Sequence, residues 1–493
     1  MLRTTIFALA ALVPGVASAL AVTATTPASN ATNVARNASI TITFDAPVDL
    51  ASVTPQRLFV WGRSRGPVAA TQSWSDGNRT VTLVPATTFF PGEWVSVQLA
   101  SGIAGTDAST LRAGGYTLQY VTRAGTGPMT FTKIDEVTVR TGSSVTVLYG
   151  GQYTDLNRDG FIDYATVNEV SADVRVLLNR ADGTGLFHPV LQPPAPIGQV
   201  ASPSVVADFN RDGRMDMATS NTDSGTVSVL LGNGNGTFQP QQSVAMGVYN
   251  HGIAALDVDG DGDIDLATAN QGSNNVSITL NDGNGVFGLA TSFDSGANQE
   301  YGLAAGDMDE DGLVDLVIGA RGDNEIRVLR SNGDGTFSPG GPATHVAAGG
   351  LSWKIVLGDV NGDGHLDVTS ANSQSNNAGV VLGNGDGTLQ PAVVYPLNGQ
   401  IVGTELGDLD GDGDLDWMVS SFGGSRWYVF ENDGTGTFTQ LYDIPSPRNA
   451  SCASAFDFDN DGDLDMALAD ENADVVLLMR NEPPVVFRNG FED

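Results

Sequence analysis

The chain has 493 residues, a formal charge of −34 and one cysteine. Its length allows two or more domains. The charge excludes nucleic acid and anionic membranes as electrostatic partners, and the single Cys452 excludes an internal disulfide framework.

In chain order, residues 1–19 read as a signal peptide. Arg3 precedes an apolar run from Ile6 to Val13, and Ala17-Ser18-Ala19 forms a small-residue cleavage site. No other apolar run is long enough to span a membrane. The expected location is therefore extracellular or cell-surface. Residues 22–122 contain alternating runs, SITITF (Ser39 to Phe44) and RTVTLVP (Arg79 to Pro85). Such alternation predicts a small β-sandwich. Residues 123–128 read as a Gly/Thr-rich linker.

From residue 129 one acidic motif dominates. In LDVDGDGDIDLATAN, Asp257, Asp259 and Asp261 occupy positions 1, 3 and 5 of a loop, Gly262 position 6 and Asp265 position 9. Crowded carboxylates repel unless a cation sits among them. Calcium takes six to eight oxygen ligands, and a glycine at position 6 allows the sharp turn around it.

The motif recurs seven times, starting at Asp155, Asp208, Asp257, Asp307, Asp359, Asp408 and Asp457. Position 3 is Asn157, Asn210, Asp259, Asp309, Asn361, Asp410 and Asp459. Position 5 is Asp159, Asp212, Asp261, Asp311, Asp363, Asp412 and Asp461. Position 9 is Asp163, Asp216, Asp265, Asp315, Asp367, Asp416 and Asp465. Position 7 varies freely from Phe161 to His365, which suits a ligand offering only its backbone carbonyl. No acidic residue stands at position 12, and the flanks read as strands, so helix-flanked EF-hand loops are excluded. Up to seven structural Ca²⁺ ions are expected.

Motif starts recur with a period near 50 residues. Each unit holds four short strands, with a Gly/Asn-rich turn such as NGDGTF at Asn332 before the fourth. Seven such units predict an all-β, seven-bladed β-propeller over residues 129–482. The last unit lacks a fourth strand. GTGPMTFTKIDEV (Gly125 to Val137) is similar to GTGTFTQLYDIP (Gly434 to Pro445), so residues 129–137 are expected to close the last blade. Residues 483–493 form a C-terminal tail.

The repeated loops and strands resemble FG-GAP or VCBS-type repeats, the units of integrin alpha-chain propellers and of many secreted bacterial proteins. The segment TTPASNATNVARNASITITFDAPVD with TVTLVPATTFFPGEWVSVQL resembles a bacterial Ig-like domain. The resemblance implies calcium at the acidic and Asn positions above. It also implies that the face opposite those loops meets the partner. Six residues before each motif, at the start of the first strand, stand Tyr149, Ser202, His251, Tyr301, Trp353, Val402 and Ser451. Tyr149, His251, Tyr301 and Trp353 form the candidate ligand cluster. Their competing role is to fill the mouth of the ring, because aromatic residues mostly pack.

The tripeptide Arg321-Gly322-Asp323 matches an integrin-ligand sequence, but Gly-Asp is ordinary turn chemistry in a chain this rich in both. No nucleophile elbow, zinc-protease motif or phosphate loop is present. Glu300, Glu405 and Asp470 are carboxylates outside the loops, and nothing in the sequence singles them out as an acid/base pair. The reading is a monomeric, non-enzymatic, secreted binding or adhesion module for an extracellular protein or glycan. The Ig-like domain serves in it as a spacer. The alternative is a polysaccharide hydrolase or lyase scaffolded on the propeller.

Overall fold

The computed structural model describes residues 19–482. The expected tail, and the signal peptide apart from Ala19, lie outside the described residues. Among those described there is no α-helix, only strands, turns and three short 3₁₀ turns.

The N-terminal unit is a sandwich of two four-stranded sheets. One runs Val22–Thr26, Ile40–Phe44, Thr80–Pro85, Ala70–Ser75; the other runs Gly66–Val68, Leu58–Gly62, Trp94–Leu99, Tyr116–Val121. Side chains on a strand alternate between faces. Ile40, Ile42 and Phe44 therefore turn inward, while Thr41 and Thr43 stay half-buried. They meet Val60, Val97 and Leu118 of the other sheet in one apolar core.

Seven further sheets follow, each built on four antiparallel strands. Their innermost strands are Leu148–Thr154, Ala201–Ala207, Asn250–Leu256, Glu300–Gly306, Ser352–Gly358, Ile401–Gly407 and Ala450–Phe456. Each packs beside the next, and the seventh packs beside the first, so the ring is closed. The second strand of every blade is buried along its whole length, because neighbouring blades cover both of its faces. The last blade takes its outer strand from Phe131–Thr138, which pairs antiparallel with Val475–Asn481. A strand preceding the first blade thus covers the edge of the seventh.

All seven innermost strands carry a register shift just inside their first residue. Such a bulge increases the local twist and re-aims a side chain. Tyr149, His251, Tyr301 and Trp353 sit at these bulges.

The Ig-like unit is a lid and not a spacer. It lies across the loops that join first to second strands. Ser64 O accepts from Asp155 N (3.0 Å), Ser101 N donates to Gly260 O (2.7 Å), and Thr117 N donates to Gly312 O (2.8 Å). Asn30 Nδ2 reaches Gly364 O at 3.5 Å. Over blade 2, the Arg211 guanidinium lies 5.4 Å from the Phe59 ring centre. The expected linker is also pinned: Gly125 N donates to Gly462 O (2.6 Å) and Gly127 N to Asp410 O (3.2 Å). The sandwich presents backbone donors and acceptors where the acidic loops present theirs, and the match holds it down.

Candidate cation loops and ligand face

The seven acidic loops share one construction. The position 1 carboxylate gathers backbone N–H groups from its own loop: Asp257 accepts from Gly260 N (2.8 Å) and Gly262 N (2.9 Å). The position 5 carboxylate accepts from position 7, as Asp261 does from Asp263 N at 2.8 Å. The position 6 glycines have φ between 80° and 108°, in the left-handed region where a Cβ would add strain.

Position 9 has a second task that spacing alone does not reveal. Asp265 Oδ2 accepts from Val258 N (3.0 Å) in its own loop, and Oδ1 accepts from Asn281 N (2.8 Å) at the end of the third strand. Asp163, Asp216, Asp315, Asp367, Asp416 and Asp465 make the same two bonds. These carboxylates clamp the loop to its blade while retaining lone pairs for a cation.

Four loops bring three carboxylate oxygens within 4.8 Å of one another: Asp257/Asp259/Asp265, Asp307/Asp309/Asp311, Asp408/Asp410/Asp416 and Asp457/Asp459/Asp465. Burial, aided by neighbouring carboxylates, raises Asp257 and Asp307 to about 8 and Asp265 and Asp465 to about 9. Asp309 Oδ1 is buried with no hydrogen-bond partner. An all-oxygen donor set, an orphaned buried carboxylate oxygen and carboxyls that resist ionising alone fit a hard divalent cation. Arginines give partial compensation: Arg480 Nε lies 2.8 Å from Asp459, and Arg112 of the lid lies 3.2 Å from Asp311.

On the opposite face the four candidate ligand residues come together. Tyr149 Oη lies 2.9 Å from His251 Nε2. His251 stacks on Tyr301 with centroids 3.8 Å apart, and Tyr301 meets Trp353 at 4.5 Å. Burial holds His251 neutral, pushing its pKa down to about 3. Tyr149, His251 and Tyr301 are buried, and Trp353 is half-buried. The cluster thus also closes the mouth of the ring.

Around this plug runs a ring that sequence reading left unassigned: Glu169, Thr222, Gln271, Arg321, Ser373, Phe422 and Glu471. Each backbone N–H donates to the carbonyl just before the innermost strand of its own blade, at 2.8–3.1 Å, in all seven blades. Their common signal is position, fourteen residues after each motif start. Arg321 lies 5.2 Å from the Tyr301 ring centre and 4.9 Å from that of Trp353. Glu169 and Glu471 stand on the adjoining first and seventh blades. Burial, with Asp223 beside Glu169 and Glu169 beside Glu471, raises them to about 7 and about 8.

A family model described as an FG-GAP-like repeat matches residues 155–219, 208–268, 257–318, 307–370, 359–419 and 408–468. The chain belongs to the FG-GAP-like repeat family. Each match runs from one loop into the next blade, so the six stretches take in all seven loops of the FG-GAP-like propeller. A model of a bacterial Ig-like domain matches residues 16–122. Domains of these two kinds are typical of extracellular proteins, and FG-GAP-like repeats commonly bind calcium. No helix among the described residues is long and apolar enough to cross a membrane. No curated protein matches the chain.

Among solved structures, BBS1N in complex with ARL6DN is similar at 10% identity and a TM-score of 0.51, covering 72% of this chain and 98% of that one. An Agrocybe aegerita lectin that recognises non-reducing terminal N-acetylglucosamine is similar at 19% identity and a TM-score of 0.43, covering 81% and 94%. The virginiamycin B lyase of Staphylococcus aureus is similar at 13% identity and a TM-score of 0.44, covering 71% and 99%.

Two remaining features of the FG-GAP-like chain bear on its sites. The RGD tripeptide is divided between two tasks. Arg321 covers the aromatic plug, while the Asp323 carboxylate accepts from Asn298 N and Nδ2, both at 2.8 Å. The carboxylates outside the loops are also engaged: Glu300 by Ser295, Glu405 by Lys354, and Asp470 by Arg448 N and Asn449 N.

An unforeseen staple links blades through asparagine. Asn432 Nδ2 donates to Val360 O of the preceding blade (2.7 Å) and to Leu415 O of its own (3.1 Å). Asn179, Asn281 and Asn481 make the equivalent pair. Asn432→Ala is expected to cost about 2–3 kcal/mol, because two buried carbonyls lose their donor. A urea midpoint within error of the parent's would show that the staple adds no stability.

Proposed function

We propose that the chain is a secreted, calcium-stabilised binding module that captures an extracellular glycan on the face opposite its loops. The carrying observation is the aromatic cluster of Tyr301 and Trp353 with Arg321 laid across it, and Glu169 and Glu471 across the mouth of the ring on the first and seventh blades. The Arg321 guanidinium has no ion-pair or hydrogen-bond partner among the described residues. An aromatic face receives the apolar side of a sugar ring, a carboxylate accepts sugar hydroxyls, and a guanidinium binds hydroxyls or an acidic substituent. In this reading the calcium ions are structural, up to seven in number, and the module is a monomer that performs no chemistry.

Retention on a glycan array tests the reading. Because Tyr301 is buried, alanine there would be expected to cost about 3–5 kcal/mol of stability, so the rim is the better probe. Arg321→Glu should reduce retention at least tenfold with the melting temperature unchanged. A variant that binds as the parent does removes Arg321 from the site. Capture of a protein and no glycan would move the ligand class. Loss of polysaccharide viscosity on incubation would replace the binding reading with the enzymatic one.

A further inference from the structure

A cavity of about 270 Å³ lies on the propeller axis, bounded by the Ig-like lid at one end and the Tyr149–His251–Trp353 plug at the other. The lid contributes Trp61, Arg63 and Trp94 to its wall; Ile253, Leu303 and Ile355 come from the inner strands. Each charged side chain that lines it, Arg63 excepted, can be followed to a partner. Lys354 Nζ pairs with Glu405 Oε2 at 3.3 Å. Asp408 belongs to the blade 6 loop, where its carboxylate accepts from Gly411 N at 2.8 Å. Nearby Glu93 is held by backbone donors, Ser64 N and Phe90 N, both at 2.7 Å. That leaves Arg63, whose guanidinium has no ion-pair or hydrogen-bond partner among the described residues although it lines the cavity. Beside it Trp61 Nε1 is buried without an acceptor.

A half-buried guanidinium without a partner is open to a planar anion. The cavity therefore presents one guanidinium without a partner and a spare N–H donor, set among apolar walls. We infer that it binds a small organic carboxylate. The planar carboxylate matches the guanidinium fork bidentately. Trp61 Nε1–H is a further donor on the same wall, and the apolar body of the ligand lies between the two tryptophans and the Ile253, Leu303 and Ile355 side chains. Inorganic anions would satisfy the charge but leave the apolar walls unused. The volume is near the lower end of small-molecule pockets, about 300 Å³, so the occupant is a compact molecule.

Two measurements on the mature chain test this. The first is native mass spectrometry of the protein as purified. The second is thermal melting with benzoate, hexanoate and their matched amides after a cycle of chelation and calcium return. The expected result is a saturable rise in melting temperature with the carboxylates and none with the amides. Arg63→Gln should weaken the effect at least tenfold, and Arg63→Lys, which keeps the charge and loses the fork, should fall between. Amides acting as well as carboxylates would overturn the proposal. So would the absence of both an organic adduct and a carboxylate-specific shift in the parent, which would mean that water alone fills the cavity. Should Arg63→Gln fail to fold, the carboxylate–amide comparison on the parent decides by itself.

Discussion

Chelating divalent cations should lower the melting temperature of the chain by about 10–20 °C and free the Ig-like lid. A ligand that binds only the folded state stabilises it by mass action, about 1.4 kcal/mol per site when its concentration is ten times Kd. Seven loops together reach about 10 kcal/mol at calcium concentrations suited to sites of extracellular type, with Kd of about 10⁻⁴–10⁻³ M. In a propeller of this size each kcal/mol is worth about 1–2 °C. The lid follows because its anchors are the loops themselves: Gly260 and Gly312 give it their carbonyl oxygens, and Gly462 gives its own to Gly125 of the adjoining linker. A loop whose buried carboxylates lose their cation must protonate or spread, and either change moves those carbonyls. The scattering radius should grow on chelation, and protease cleavage should appear within residues 123–128. Calcium should reverse both effects, with magnesium much less effective because it demands a smaller, near-octahedral shell. A chelated chain that melts and scatters like the calcium-loaded one would leave the loops without a cation and remove the structural role proposed for it.

Deleting residues 129–137 should abolish cooperative unfolding or leave an aggregating chain. Phe131–Thr138 pairs with Val475–Asn481 over its whole length, with Leu477 opposite Glu136 and Asn481 opposite Phe131. Its removal exposes a long apolar edge, and exposed edges recruit other chains. The Met129 and Phe131 side chains also pack in the core shared by the last two blades. The effect exceeds that of losing an ordinary outer strand, because this strand ties the start of the propeller to its end. A milder probe is Asp135→Pro opposite Leu478, which removes one backbone donor and restricts the strand. An unchanged melting temperature in both variants would show that the ring holds without this strand.

The sequence by itself determined what repeats and what is local. An acidic loop is written within nine residues, from Asp257 to Asp265, since its carboxylates and its turn glycine are near neighbours. Seven copies at a regular period carry the blade count, because each blade is one copy of the same hairpin pattern. Alternation in Ile40–Phe44 likewise discloses a strand with one inward face. The positions that start each inner strand could be counted from the motif, which is how Tyr149, His251, Tyr301 and Trp353 came to be grouped. Only the tertiary structure decided what those groups face. The bulges turn the four rings onto one another, so the same residues plug the mouth of the ring. Arg321 falls across two of them from the next strand of its blade. The Ig-like unit, which reads as a spacer, settles as a lid because its surface N–H and C=O groups meet those of loops up to several hundred residues away. Asn432 and its equivalents find carbonyls in another blade, and Arg63 ends in a cavity that neither domain encloses alone. Spacing along a chain reports ligands that are covalent neighbours; it does not report which distant surfaces bury one another, since that depends on the shape the whole ring adopts.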